Sequence, residues 1–213
     1  QDVVIFIKGK GITKLNYVIG THPHEDHIGG LDDVINSDLK IENLWMPKIQ
    51  TNTKTFEDVL DAVKNKGLKV TAPNKGDSFE IGKAKCEVMT DSILNKDNLN
   101  LSSIVIRLEF ENNSFLFMGD AETANEKTRT WMKTDVLKVG HHGSNTSSSE
   151  DFLKQINPTY AVIMAGKNKS YGLPKQKILD RLTKIGAKVY RTDEEGTIMM
   201  ISNGNNIEVK ENT

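Results

Sequence analysis

Thr21-His22-Pro23-His24-Glu25-Asp26-His27 decides how the rest of this chain is read. The run from His22 to His27 holds three of the chain's five histidines, together with Asp26, in the spacing H-x-H-x-D-H. Imidazole and carboxylate in one short segment suit zinc, manganese or iron better than calcium or magnesium, which prefer shells of oxygen. His22 and His24, one residue apart, can face a single centre from an extended loop. Asp26 and His27 would then reach a second point close by. The pattern reads as half of a dinuclear metal site; the alternative is a histidine-rich surface loop with no metal.

The flanks say where this loop sits. Leu15-Asn16-Tyr17-Val18-Ile19 is an apolar run short enough for a buried strand, and Ile28-Gly29-Gly30-Leu31 reads as a turn into a helix. The donors therefore follow a strand, the usual place for chemistry in an α/β fold. Two later stretches repeat the arrangement. Phe115-Leu116-Phe117-Met118 runs into Gly119-Asp120-Ala121-Glu122, and Val136-Leu137-Lys138-Val139 runs into Gly140-His141-His142-Gly143-Ser144. Three strand ends thus carry acid and imidazole, and three such ends can converge at one sheet edge.

These stretches also carry a resemblance. Thr21-His22-Pro23-His24-Glu25-Asp26-His27-Ile28-Gly29-Gly30-Leu31 resembles the second motif of the metallo-β-lactamase superfamily, and residues 115–122 resemble its bridging-aspartate motif. Residues 136–144 are similar to the K-V-G-H-H-G-S signature of ComEC-like domains, and residues 189–196 to the closing strand and turn of that subfamily. The resemblance implies an αββα sandwich with metals at one edge between two sheets. It also implies that two or more strands and an early aspartate precede residues 2–11 in relatives, so residues 1–213 are expected to be one hydrolase domain truncated at its N-terminus. For residues 2–11 themselves, β-propensity favours a strand, but the resemblance implies a helix, and a helix is expected.

By the same resemblance, His22 and His24 bind a first ion, Asp26 and His27 a second, and Asp120 bridges the two. Of the adjacent pair, His141 is expected as the ligand and His142 as an acid–base group or substrate contact, with the reverse order left open. Asp26 and His142 are the expected catalytic residues, and Asn100 and Ser144 the expected substrate contacts. Zinc is the expected metal, with manganese as the alternative. Two ions would lower the pKa of a shared water and yield hydroxide near neutral pH.

The chain departs from the resemblance in two places. No histidine lies between His27 and Asp120, so Asn100 or solvent would take that ligand's place. Ser170-Tyr171-Gly172-Leu173-Pro174 carries leucine where relatives carry histidine, which predicts a weaker second ion site.

Composition limits the remaining readings. With 37% apolar and 27% charged residues, the chain reads as a globular domain, and no apolar run approaches a bilayer span of about 20 residues. Neither a signal-peptide pattern nor a membrane contact is legible. A net charge of −1 argues against broad nonspecific nucleic-acid binding. Lys167, Lys169, Lys175 and Lys177, with Lys138, read as a solvated surface or a local basic patch. One cysteine, Cys86, precludes an internal disulfide. The expected function is metal-dependent hydrolysis of phosphodiesters, either DNA during uptake or a cell-surface phosphodiester, outside the cytoplasm. Hydrolysis of carboxylic, thioester or lactam bonds, and a metal-binding surface module without turnover, are the alternatives.

Overall fold

Apolar runs that alternate with amphipathic segments settle into two sheets, each with its own helices. A computed structural model describes residues 2–167 and 171–210. Lys169 and Ser170, which figure in the sequence reading, lie outside the described residues. The chain divides into two compact units. One comprises the chain up to Asn74 together with Asp91–Ile104, the other Lys75–Thr90 together with the chain from Val105 onward.

The first unit holds α1 (Asp2–Gly9), β1 (Lys14–Ile19), α2 (Glu25–Ile28), α3 (Leu31–Asn36), β2 (Lys40–Trp45), α4 (Lys54–Lys66) and β3 (Val70–Thr71). Its sheet has the order β1-β2-β3 and is parallel throughout, with Ile19 opposite Trp45. The helical preference expected at the N-terminus holds: residues 2–9 are α1, although Val3, Ile5 and Phe6 stay exposed. Helix α4 follows from its sequence. Thr53 caps it by accepting from the Phe56 N–H, and Gly67 ends it at φ 66°, a left-handed conformation that glycine adopts without strain. The face bearing Phe56, Val59, Ala62 and Val63 is buried with Ile28, Ile35 and Leu44.

The second unit holds β4 (Ser78–Ile81), β5 (Ala84–Val88), β6 (Ile106–Phe110), β7 (Asn113–Phe117), α5 (Thr123–Glu126), β8 (Val136–Lys138), α6 (Glu150–Ile156), β9 (Tyr160–Ile163), α7 (Gln176–Lys184), β10 (Lys188–Arg191), α8 (Thr192–Glu195), β11 (Met199–Ser202) and β12 (Ile207–Lys210). Its large sheet runs β10-β9-β8-β7-β6-β5-β4, and β11-β12 form a separate hairpin. Pairing is antiparallel from β4 to β7 and parallel from β7 to β10. Tight hairpins join β4 to β5 and β6 to β7, and helices lie on the crossovers between β8, β9 and β10. The core gathers Leu116, Met118, Leu137, Val139, Phe152 and Ile178. Among the described residues no helix is long and apolar enough to cross a membrane.

The sequence predicts a helix over 123–132, but α5 stops at Glu126. Side-chain bonds compete with the helical ladder there. The Thr128 hydroxyl donates to the Asn125 carbonyl at 2.7 Å, and the Trp131 indole donates to the Glu126 carbonyl at 2.6 Å. Trp131 is thereby buried edge-to-face on Phe152, with ring centroids 5.0 Å apart.

Two measurements test this core. Phe152→Ala removes a buried ring from the α6 face and is expected to lower unfolding free energy by about 3–5 kcal/mol in urea titration; a loss under about 1 kcal/mol would show that the site collapses freely. Cys86 is buried in β5, and desolvation pushes its thiol up to about 11. Since the thiolate reacts, iodoacetamide near pH 8 should modify the urea-unfolded chain and spare the folded one. Rapid labelling of the folded chain would contradict this packing.

Candidate metal centre

Strand β1 ends at Ile19, and Gly20 opens the path to the histidine loop. A Cβ on Gly20 would meet Ile28 at 3.1 Å and Met46 at 3.3 Å, so glycine lets the loop leave close to the core. His22 is fully buried. The Thr21 hydroxyl lies 3.2 Å from His22 Nδ1 and 3.3 Å from His27 Nδ1. One hydroxyl proton serves a single acceptor, so this threonine orients both rings and one of them must donate to it. His22 Nε2 is 3.1 Å from His24 Nδ1, and the rings of His22 and His27 are 4.1 Å apart. Asp26 and His27 lie on the single turn α2 rather than on the extended loop expected from sequence, and Asp26 Oδ2 is 3.7 Å from His27 Nε2. The Asp26 side chain is 63% exposed.

In the second unit, β7 delivers Asp120, whose side chain is 3% exposed, and β8 delivers the histidine pair. His141 and His142 sit in a turn over Gly140–Gly143 at φ 46° and 52°. An extended segment would send the two side chains to opposite sides. Both imidazoles instead approach Asp120: His142 Nε2 is 3.4 Å from Oδ2, and His141 Nε2 is 3.9 Å from it. Their other nitrogens differ. His142 Nδ1 donates to the Met164 carbonyl at 2.6 Å, which leaves Nε2 as the nitrogen facing Asp120. His141 Nδ1 lies 2.9 Å from the Thr146 hydroxyl and 3.3 Å from Glu122 Oε1.

The turn is held from several sides. A Cβ on Gly140 would stand 2.8 Å from the Ala121 carbonyl, and the Ser147 hydroxyl donates to the Gly140 carbonyl at 2.7 Å. Gly143, at φ 79°, packs on Pro174, and the Lys175 N–H donates to the Gly143 carbonyl at 3.0 Å. Buried Glu126 accepts from the N–H groups of Ser148 and Ser149 at 2.5 and 3.0 Å. Burial raises its pKa above the ordinary carboxylate value; those N–H groups and Arg181 oppose the shift.

Donor spacing is the test of fit to a metal. Two ligand atoms on one tetrahedral zinc at ~2.0–2.1 Å stand roughly 3.3 Å apart. The His22–His24 nitrogens at 3.1 Å and the Asp120–His142 atoms at 3.4 Å match that spacing. His142 also has the carbonyl-bound Nδ1 typical of a ligating histidine. These His/Asp groups could hold a metal.

Asn100 and Ser144 are the remaining expected site residues. Asn100 is buried in a 3-10 turn (Leu99–Ser102), where its N–H donates to the Asn98 side chain. The Ser144 N–H donates to the His141 carbonyl at 2.8 Å, and its hydroxyl lies 3.2 Å from that of Thr146. Sequence reading assigned no role to Thr21, Glu122, Thr146 or Met164. Thr21 and Glu122 stood inside quoted motifs and could have been noticed as neighbours of donors. The Met164 carbonyl carries no sequence signal.

A model of the metallo-β-lactamase superfamily matches residues 2–167. The chain is 35% identical over 200 residues to ComE operon protein 3 of Bacillus subtilis (strain 168), covering 92% of this chain and 26% of that protein. It is 29% identical over 199 residues to Recombination protein 2 of Haemophilus influenzae, covering 92% of this chain and 23% of that protein. The chain thus spans about a quarter of the length of these relatives. Among solved structures, the metallo-β-lactamase fold protein YhfI of Bacillus subtilis aligns with a TM-score of 0.55 at 10% identity, over 89% of this chain and 79% of that one. The expected α/β metallo-β-lactamase fold is therefore the fold of this chain.

Gly143→Ala tests the support of the turn. A methyl group would strain a left-handed backbone and meet Pro174 Cβ at 2.6 Å. The expected loss is about 1–3 kcal/mol of unfolding free energy, with broadened His142 ring signals in NMR. Unchanged stability and signals would mean that the turn yields freely.

Proposed function

This chain belongs to the metallo-β-lactamase superfamily, as a ComEC-like member, and on that premise we propose that it hydrolyses phosphodiester bonds, with DNA as the substrate. The superfamily is mostly hydrolytic. The observation that carries the reading is the spacing of His22 with His24 and of Asp120 with His142, which is that of ligand atoms on a metal. The substrate class draws support from relatives that include one named for recombination. The same reading puts the activity outside the cytoplasm, where incoming DNA would be processed.

In this proposal His22, His24, Asp26 and His27 would offer metal donors in the first unit, and Asp120 and His142 in the second. That reverses the order expected for the histidine pair, because Nδ1 of His142 is committed to a carbonyl and its Nε2 faces Asp120. His141, tied to Thr146 and Glu122, is then the substrate contact. Divalent ions bound there would acidify water and neutralise charge developing on the phosphoryl oxygens. Thr21 orients two rings, and Glu126 and Ser147 keep the turn in place, so that little reorganisation is needed when substrate arrives.

Protein purified without chelator and supplied with metal should carry about one to two equivalents of zinc or manganese and cleave bis(p-nitrophenyl) phosphate, leaving nitrocefin and lactones intact. Asp120→Asn should lower both metal content and rate while the circular dichroism stays native. Retention of more than about a tenth of the activity, a change under ~1.4 kcal/mol, would remove Asp120 from the metal site. Zinc titration should resolve two unequal affinities, and Leu173→His should tighten the weaker by about tenfold. Equal affinities that Leu173→His leaves untouched would place residue 173 outside the site.

A further inference from the structure

Gly20 and Met46 occupy equivalent places, each one residue past the end of paired parallel strands. Ile19 stands opposite Trp45, and the Gly20 N–H donates to the Trp45 carbonyl at 3.0 Å. Gly20 leads into the histidine loop. Met46 leads into a pocket of about 480 Å³ in the same unit, a volume within the ~300–1,000 Å³ usual for small-ligand sites. The C-terminal ends of parallel strands are where such folds bind ligands, and here one such edge offers metal donors on one strand and a pocket on the next.

The lining narrows what the pocket takes. Met46, Ile49 and Phe56 are buried, and Leu94 is 57% exposed. These give an apolar wall in which an unbranched methionine can adapt to a ring. Lys48 and Lys96 are exposed among the lining residues, and among the described residues that line the pocket none is acidic. An apolar wall calls for a hydrophobic body to be withdrawn from water. Two ammonium groups in a lining without an acidic residue call for an anion, and lysine binds phosphate as a point charge. Inorganic phosphate would leave the wall unused, and a neutral apolar ligand would leave the lysines unused. A nucleotide supplies both parts, and apolar side chains are known to sandwich unstacked bases.

We propose that this pocket binds one nucleotide of the substrate strand, its base against the Met46–Ile49–Leu94 wall and a phosphate on Lys48 and Lys96. The proposal rests on the phosphodiesterase reading and adds a subsite that recognises the strand beyond the scissile bond. Such a subsite raises affinity for a polymer without entering the chemistry. It would also let a chain of near-neutral net charge engage nucleic acid through a local contact rather than a broad basic face.

The test uses the full chain. Thymidine 5′-monophosphate is titrated by calorimetry, with inorganic phosphate, deoxyribose 5-phosphate and decanoate as comparisons. The nucleotide should bind at least about tenfold more tightly than either phosphate lacking a base. Lys48→Gln combined with Lys96→Gln, and separately Leu94→Asp, should each weaken it by about tenfold. In turnover, both variants should raise KM for a single-stranded oligonucleotide by a similar factor and leave kcat on bis(p-nitrophenyl) phosphate within about twofold. The proposal is overturned if the lysine variant binds the nucleotide as the wild type does, if deoxyribose 5-phosphate binds equally well, or if decanoate binds and the nucleotide does not. Lysine-dependent nucleotide binding without phosphodiester cleavage would sink the hydrolase reading and keep the pocket. Cleavage without such binding would do the reverse.

Discussion

Two adjacent non-glycine residues, His141 and His142, hold left-handed backbone at φ 46° and 52°. Each such residue costs on the order of 1–2 kcal/mol relative to the right-handed alternative. The strain persists because its surroundings fix the turn more than once. Gly140 is packed too closely for a side chain, Ser147 bonds its carbonyl, Lys175 bonds the carbonyl of Gly143, and Glu126 gathers the amides of Ser148 and Ser149. An extended segment would send successive side chains to opposite faces; the left-handed pair brings both imidazoles toward Asp120 instead. Much of the second unit beyond β7 bears on this turn: β8 leads into it, β9 ends beside the carbonyl that fixes His142, and the segment before α7 packs on Gly143.

Burial of Glu126 shows how that support is achieved. A carboxylate withdrawn from water is unfavourable unless hydrogen-bonded, and its raised pKa records the desolvation. Two backbone amides and the nearby Arg181 offset it in part. The amides it accepts from flank Ser148, itself at φ 54°. The carboxyl group therefore holds a backbone conformation through its two oxygens.

What was legible in the sequence was whatever depends on neighbours in the chain. The α4 helix announces its cap at Thr53, its face and its Gly67 end, and the strands before each donor cluster show as apolar runs. The donors could be named because acid and imidazole follow strand ends. Less legible was whatever depends on remote partners. Helix α5 is short because Trp131 turns back to a carbonyl and to Phe152. The distinction between His141 and His142 depends on the Met164 carbonyl, 22 residues away, and on Glu122 and Thr146. Asp26 and His27 read as loop because four residues of helix carry too little periodicity to register.

Leu173 illustrates how a departure from a motif can leave its structural part intact. Pro174 lies where a side chain on Gly143 would go, and Lys175 bonds the Gly143 carbonyl through its own backbone. Neither contact uses the side chain at 173. The segment can therefore brace the histidine turn whatever residue stands there. Structural support in this stretch thus resides in proline, glycine and backbone amides.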